Sequence, residues 1–354
     1  MVAQGFTQVE GLDFNKTFAP VTKFSSFHTI LALAAEHNLE FHQMDVKVAY
    51  LNGVLEEEIY MELLPGLEVP EGMVFHLIKA VYGTKQGGRV WYLNIKKTLE
   101  EMGHQCTHAD HTIFTCHWDG ILSIMVIYVD DFGIASNSLE SIEKYKEELK
   151  KWYQMTDLGE INWILGVHVT CDREAGTITL LQERYIEDIL QCFNKSDLHP
   201  ISTPALTNKH LTKLPFPEID TTLYQRALGA LMYPMLGTHP DIAHAITALG
   251  CHTASPGPKH HHALDCLFRY LKATKDRVLT FRWGITGRTT LQGFADADWA
   301  SDINDQKSTS GYVFILAGGT ISWSSKKQGS VALSSTEAEY IATTHAAKEA
   351  IWLR

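Results

Sequence analysis

Ile121-Leu122-Ser123-Ile124-Met125-Val126-Ile127-Tyr128-Val129-Asp130-Asp131-Phe132-Gly133-Ile134-Ala135 is the stretch on which the fold turns. An apolar run enters two adjacent acids and a second apolar run leaves them. The pattern reads as a strand, a tight turn and a second strand, with the acids where the hairpin tip meets solvent. Burying one unpaired carboxylate is costly, and two side by side repel each other. A fold that keeps such a pair near its core neutralises it with a cation, and oxygen-only ligands on a sheet suit Mg²⁺ or Mn²⁺. An ordinary hairpin turn is the other reading of these residues alone, because Asp favours turns.

A third carboxylate weighs against the ordinary turn. Asp45 lies in Phe41-His42-Gln43-Met44-Asp45-Val46-Lys47-Val48-Ala49-Tyr50-Leu51-Asn52-Gly53, a second strand-like segment closed by the turn dipeptide Asn-Gly. Three carboxylates on neighbouring strands would hold two metal ions about 3.5–4 Å apart, the arrangement polymerases and nucleases use for in-line phosphoryl transfer.

Composition sets the outer bounds. A chain of 354 residues allows two or three domains, and 45% hydrophobic content supplies real cores. No apolar run approaches the ~18–20 residues of a membrane span. No basic segment followed by an apolar one opens the chain, so no signal peptide is visible. Six cysteines are scattered without a Cys-x-x-Cys pair, which suits reduced thiols inside a cell. Among eighteen histidines, His252, His260, His261 and His262 read as a solvated loop ahead of a helix. His104, His108, His111 and His117, around Cys106 and Cys116, read as helix end, turn and strand start rather than a structural metal site. The net charge of −11 is unexpected for a nucleic-acid enzyme, because phosphate contacts favour Lys and Arg. Cations do cluster at Lys79, Lys85, Arg89, Lys96 and Lys97, and again at Lys326 and Lys327, and local fields matter more than the total.

Along the chain, residues 24–36 form a helix with Phe27, Ile30, Leu31 and Ala34 on one face. A second helix spans 86–102 and ends at Gly103. Asn137 with Glu140 marks the capped start of a charged helix reaching Tyr153. Residues 161–182 read as a hairpin, with arms Ile161–Thr170 and Thr177–Leu181, and a helix covers 183–193. Leu198 to Pro217, punctuated by Pro200, Pro204, Pro215 and Pro217, is the clearest linker. Helices at 222–236, 240–252 and 258–273 follow, then strands at 278–283, 289–297, 311–318 and 319–325. The last helix, from Ser335 to Arg354, places Tyr340, Thr344, Ala347 and Ile351 on one face.

Asp45 with Tyr50, then Gln86-Gly87, then Tyr128-Val129-Asp130-Asp131, occur in the order of the palm motifs of reverse transcriptases. The surrounding sequence resembles the Pol polyprotein of copia-type long-terminal-repeat retrotransposons. Val2-Ala3-Gln4-Gly5-Phe6-Thr7-Gln8 and Thr17-Phe18-Ala19-Pro20-Val21 resemble its fingers. Met44–Gly53 and Ala80–Arg89 resemble its first two palm motifs, and Asp157-Leu158-Gly159-Glu160 with Leu165-Gly166-Val167 the segment beyond. Tyr233–Asp241 and Arg269-Tyr270-Leu271-Lys272 resemble the connecting region. Phe294–Asp302 and Ser334-Ser335-Thr336-Glu337-Ala338-Glu339-Tyr340 look like the ribonuclease H domain that follows.

The resemblance implies an α+β fold. It places right-hand polymerase fingers and palm in 1–197, a linker and helical thumb or connection in 198–285, and a C-terminally truncated ribonuclease H-like α/β domain in 286–354. It implies an RNA-directed DNA polymerase in which Asp45, Asp130 and Asp131 hold two Mg²⁺ or Mn²⁺ ions for nucleotidyl transfer. Tyr50 takes the steric-gate position that blocks a ribose 2′-hydroxyl. Gln86 and Gly87 meet the incoming nucleotide, and Tyr128 lies near the primer end. Trp163, Leu165 and Gly166 grip the primer, or equally form a packed hairpin core. Asp296 and Glu339 form part of a ribonuclease H site whose other carboxylates lie beyond Arg354, so no ribonuclease H activity is expected of this chain.

The implied partners are an RNA template, a DNA primer, the RNA–DNA hybrid and deoxynucleoside triphosphates, with integrase and protease as other Pol segments and no membrane. The implied location is the cytoplasm, within a virus-like particle, or the nucleus. The family carries a basic segment before Val2-Ala3-Gln4-Gly5, where this chain begins with Met1, and fingers lacking those cations would bind nucleotide poorly. A catalytically inactive retroelement remnant that keeps the palm fold is therefore the alternative expectation.

Overall fold

The computed structural model describes residues 2–63, 66, 70, 72–205, 211–215, 220–284 and 290–354. Parts of the expected linker (206–210 and 216–219) and residues 285–289, at the expected start of the last domain, lie outside the described residues. The fold is mixed α/β. The chain divides into two compact units, Met1–Lys23 with Leu39–Ile161, and Phe24–Asn38 with Asn162–Arg354. Helix α1 (Phe24–Glu36) thus belongs to the second unit.

The first unit is built on an antiparallel six-stranded sheet. Its elements are β1 (Glu40–Val46), β2 (Val54–Met61), β3 (Phe75–Lys79), α2 (Gly87–Glu101), β4 (Gln105–Cys106), β5 (Ile113–Trp118), β6 (Ile121–Tyr128), β7 (Asp131–Ser136), α3 (Leu139–Trp152) and β8 (Met155–Glu160). The large sheet runs β4-β5-β6-β7-β1-β8, while β2 and β3 form a separate ribbon. Strand β1 pairs with β7 on one side and β8 on the other. Met44, Val46, Met125, Ile127, Phe132 and Ile134 on one face pack with Trp91, Ile95 and Leu99 of α2 and with Ile142 and Leu149 of α3. Phe41, Ile124, Val126 and Ala135 alternate with them and are also buried. Burial on both faces explains why the segment reads as a continuous apolar run instead of an alternation. Gly133 lets Phe41 cross the sheet, because a Cβ there would lie 2.7 Å from both Phe41 and Val126.

Helix α3 starts one residue later than the sequence suggests. Ser138 is its N-cap and accepts from the Ser141 N–H, while the Asn137 side chain accepts from Leu122 N–H and donates to Gly120 O. Asn137 is spent on bracing the β5–β6 turn, and the extended Ser138 beside it is free to cap. Within α3, Lys146 is buried. Its ammonium meets Glu143 Oε1 at 2.9 Å, Asp157 Oδ1 at 3.0 Å and His42 Nδ1 at 2.7 Å. Burial and then Lys146 hold the His42 pKa down, so His42 accepts from the ammonium as a neutral ring. Burial alone would raise the Asp157 carboxyl, but the Gly159 N–H and Lys146 outweigh it and hold it below its ordinary value.

The second unit gathers α1 with β9 (Trp163–Ile164), β10 (Val167–Asp172), β11 (Thr177–Leu181), α4 (Glu183–Cys192), α5 (Thr221–Gly237), α6 (Ala243–Gly250), α7 (Pro258–Thr274), β12 (Leu279–Arg282), β13 (Gln292–Asp298), β14 (Thr309–Leu316), β15 (Gly319–Lys327) and α8 (Ser335–Leu353). One sheet runs β12-β11-β10-β9 and another β13-β14-β15. Helices α4 to α7 share one apolar core. The pairing of β12 with β11 joins residues from both sides of the helical segment, so neither expected domain limit, at 197 or at 285, coincides with a unit boundary. On α1, Phe27, Ile30, Leu31 and Ala34 are buried, as their spacing suggests. His28 is buried with them, its Nε2 at 2.8 Å from Gly237 O and its ring stacked on Trp323. Burial lowers its pKa to about 4.

Two expectations about this unit need correction. Ile161–Thr170 is not one strand: Leu165 and Gly166 both take positive φ and turn the chain between β9 and β10. His252 and His260 are not in a solvated loop. They are buried and stacked with centroids 4.2 Å apart, and His260 Nδ1 accepts from the Gly257 N–H at the start of α7. On α8 the expected shared face of Tyr340, Thr344, Ala347 and Ile351 is the exposed one, and the buried row is Ala338, Ala342 and Ala346. Small side chains let the helix approach β13 and β14 closely, and alanine gives no periodicity signal against its neighbours. No helix among the described residues is long and apolar enough to cross a membrane.

Removing the Lys146 charge tests the first unit's core. Lys146→Met is expected to cost roughly 1–3 kcal/mol in urea unfolding at neutral pH, less than for a fully buried pair because Glu143 and Asp157 keep some solvent. The depressed Asp157 pKa contributes stability that is present above the unfolded carboxylate value and is lost as pH falls through the folded one. The wild-type advantage over the variant should therefore shrink as the medium is acidified below about pH 4.

Candidate active site at the turn between β6 and β7

The hairpin closes through two residues, Val129 and Asp130, with Tyr128 paired to Asp131 across it. Val129 has φ +54°, a conformation that β-branched residues rarely adopt. Its carbonyl is held by the Trp91 indole N–H at 2.8 Å. The Val46 N–H donates to Asp130 O at 2.8 Å, which ties the end of β1 to the same turn. Val48 is a second β-branched residue in the left-handed region, φ +51°, and it leads into the short helical turn Ala49–Asn52 that carries Tyr50. Two strained valines thus flank the three acids, the kind of outlier that gathers at functional sites.

Antiparallel pairing puts Asp45 directly opposite Asp131, with Asp130 next to it in the turn. The three carboxylates lie at the end of the sheet, all partly exposed. Burial raises the Asp130 carboxyl pKa, opposed by the hydrogen bond from Tyr82 and reinforced by the Asp45 charge. Burial also raises Asp131, opposed by the Gln43 amide and reinforced by Asp45 and Asp130. Gln43 Nε2 lies 3.3 Å from Asp131 Oδ1. The Tyr82 hydroxyl donates to Asp130, at 2.8 Å from Oδ1 and 2.9 Å from Oδ2.

Oxygen donors that repel one another across adjacent strands fit a hard divalent cation in chemistry. The present side-chain orientations of Asp130 and Asp131 are those of the hydrogen bonds just named. Among the described residues, no three acidic, imidazole or thiol groups already converge in metal-holding geometry. That also applies to the histidines around Cys106.

Tyr50 stands beside the acids in a narrow slot. Its ring stacks on Tyr82, centroids 4.4 Å apart and planes 15° from parallel. Gly87 makes room for it, since a Cβ there would lie 3.1 Å from Tyr50 Cδ2 and 2.7 Å from Thr84 Oγ1. Gln86 is fully buried, and its amide donates to Asp13 O and accepts from Gln8. Its side chain anchors the N-terminal segment in this arrangement, where the sequence suggests a nucleotide contact. Tyr128 is half-buried at the end of β6.

Asp296 on β13 and Glu339 on α8 sit on elements that pack together, and both are exposed. Glu339 lies one turn into α8, past Glu337, whose backbone N–H is capped by Ser334. Several of the expected basic clusters are internally paired: Lys96 with Glu100, Lys97 with Glu101, and Lys327 with Asp302 and Asp305. Tyr82, Trp91 and Gln43 were not legible as site residues. Each acts on an acid or its turn from a distant part of the sequence, and only the aromatic character of Tyr82 and Trp91 hints at a role.

A family model described as "Reverse transcriptase (RNA-dependent DNA polymerase)" matches residues 1–207. Over the whole chain, identity is 41% to the retrovirus-related Pol polyprotein from transposon TNT 1-94 of Nicotiana tabacum and 34% to that from transposon RE2 of Arabidopsis thaliana. The chain spans only 27% and 24% of those two polyproteins. A transposon Ty5-1 protein of Saccharomyces cerevisiae is 33% identical over 86% of this chain and is covered along its full length.

The crowded acids give a thermal prediction. Asp131→Asn keeps a hydrogen-bond acceptor for Gln43 and removes one of three repelling charges. In EDTA at neutral pH its melting midpoint should rise by roughly 1–3 °C over wild type. A lower midpoint would mean that the Asp131 charge is held favourably without a cation.

Proposed function

Since the chain belongs to the reverse transcriptase (RNA-dependent DNA polymerase) family, among copia-type Pol polyproteins, we propose that Asp45, Asp130 and Asp131 are the carboxylates of its nucleotidyl-transfer site. The observation that carries this reading is the register of β1 against β7, which brings Asp45 opposite Asp131 and beside Asp130 from more than eighty residues away. In this reading residues 1–197, through α4, contain the fingers and palm, and residues 198–285, with the helices α5 to α7, the linker and the thumb or connection. Residues from β13 to α8 form a ribonuclease H-like segment in which Asp296 and Glu339 are part of a second acidic site, not sufficient by themselves for RNA cleavage.

Asp45, Asp130 and Asp131 would hold two Mg²⁺ or Mn²⁺ ions. Bound there, such ions supply the Lewis acidity that activates a primer 3′-hydroxyl and neutralises the leaving pyrophosphate. The chain's own groups position the reactants. Tyr50 walls off the space a ribose 2′-hydroxyl would need, and Gly87, without a side chain, lets the protein backbone approach the nucleotide beside it. Gln86, through Asp13 and Gln8, shapes the floor of that slot. Tyr128 borders the primer end. The substrates are an RNA template, a DNA primer and deoxynucleoside triphosphates, within a larger polyprotein.

Primer extension on an RNA template with Mg²⁺ or Mn²⁺ tests this. Wild type should incorporate deoxynucleotides, and Asp130→Asn should lose at least about a hundredfold in rate, the scale of removing a charge that acts on the transition state. Equal background signal from both proteins would mark the chain as an inactive remnant. Separately, Tyr50→Val should extend with ribonucleotides markedly better relative to deoxynucleotides. An unchanged ratio would remove Tyr50 from the gate position.

A further inference from the structure

Tyr82 touches both Asp130 and Tyr50 of the proposed site. Its hydroxyl engages both oxygens of Asp130, with the backbone of Ala49 as a further partner. Its ring face lies flat on Tyr50. The residue is held from behind: Gly83, at φ +94°, packs so closely on the Ala3 carbonyl that a Cβ would lie 2.0 Å from it, and the Tyr82 carbonyl accepts from the Ala3 N–H at 2.7 Å. The loop that carries the phenol is therefore fixed against Ala3.

A single hydroxyl proton shared between two carboxylate oxygens is a charge-assisted contact that competes directly with a cation for the same lone pairs. We propose that Tyr82 is a positioning residue with two effects. Its hydroxyl occupies Asp130 in the metal-free protein and must yield it when a divalent cation binds, and its ring sets the depth at which Tyr50 meets the sugar. Loading of the metal and selection of the sugar are then coupled through one side chain. When the hydroxyl lets go of Asp130, the ring that backs Tyr50 is released from its tether at the same moment. This rests on the polymerase reading of Asp130 and Tyr50, and it adds a residue and a coupling to it.

The two effects separate in two variants. Tyr82→Phe keeps the ring and its stack and removes the competing donor. Tyr82→Leu removes both. Mn²⁺ binding, followed by electron paramagnetic resonance without substrate, should tighten in both variants by roughly ten- to a hundredfold, the size of one hydrogen bond to a charged group in competition with water. Asp130→Asn defines the Asp130-dependent part of the signal. Discrimination between deoxy- and ribonucleotides should stay near wild type in Tyr82→Phe and fall in Tyr82→Leu. Circular dichroism and thermal melts confirm that each variant is folded, and the Phe variant removes only one oxygen from a half-buried site.

Unchanged Mn²⁺ affinity in Tyr82→Phe, with Asp130-dependent binding intact in wild type, overturns the proposal while leaving the polymerase reading in place. Weaker Mn²⁺ binding in Tyr82→Phe also overturns it, because the hydroxyl would then support the loaded geometry. Absence of both Asp130-dependent Mn²⁺ binding and Asp130-dependent extension in wild type overturns the polymerase reading itself, and this inference with it.

Discussion

The antiparallel pairing of β1 with β7 is the interaction on which the rest of the first unit depends. It places two like charges, Asp45 and Asp131, face to face at the end of the ladder. Directly opposed like charges destabilise a sheet by roughly 0.2–1 kcal/mol. One register position further in, Met44 meets Phe132, and both are fully buried. Burying side chains of that size contributes about 1.5–3 kcal/mol each. Apolar burial therefore decides the register, and the acids are carried into opposition by it. A slip of one residue would relieve the repulsion but move Met44 and Phe132 off the face they share with α2 and α3.

Backbone strain is localised in the same place. Val48 and Val129 hold left-handed conformations that cost about 1–3 kcal/mol each. At Val129 the conformation persists because neighbouring bonds hold the turn: Trp91 pins the Val129 carbonyl, and the Val46 N–H pins that of Asp130. The tip of the hairpin is thus rigid without being regular. A rigid tip suits a site whose work is to hold charge at fixed points, since reorganisation at the moment of reaction is what such a site avoids.

Much of this fold could be read from the chain, for identifiable reasons. Helices α1, α2, α4, α5 and α7 carry clear helical spacing or Gly and Pro punctuation, and β6 and β7 are long apolar runs. The failures share a cause, which is that tertiary contacts overrode a local signal. Asn137 has the chemistry of a cap but is engaged across the hairpin. The Ala338 row on α8 carries no contrast in size, so the spacing of Tyr340 and Ile351 marks the exposed face and leaves the buried one unmarked. The His252–His260 stack looks polar in sequence and is buried in the fold. At the site, the acids and Tyr50 were legible from spacing and family order. Tyr82 and Gln43 were not, because a side chain reaching an acid from a separate element leaves no mark on its own neighbourhood.

Gly133, Gly166 and Gly87 share a property with a consequence for the history of this sequence. At Gly133 and Gly87 a Cβ would come within 2.7 Å of packed neighbours, and at Gly166 within 2.5 Å. Every glycine codon lies one base change from codons for larger residues. In a genome that holds many related copies, copies released from selection drift at such codons as readily as anywhere else, while copies still making protein do not. These three positions therefore act as a register of purifying selection that is independent of the catalytic acids. A lineage that keeps all three glycines while its synonymous sites diverge has been filtered for a folded product, whatever chemistry that product performs.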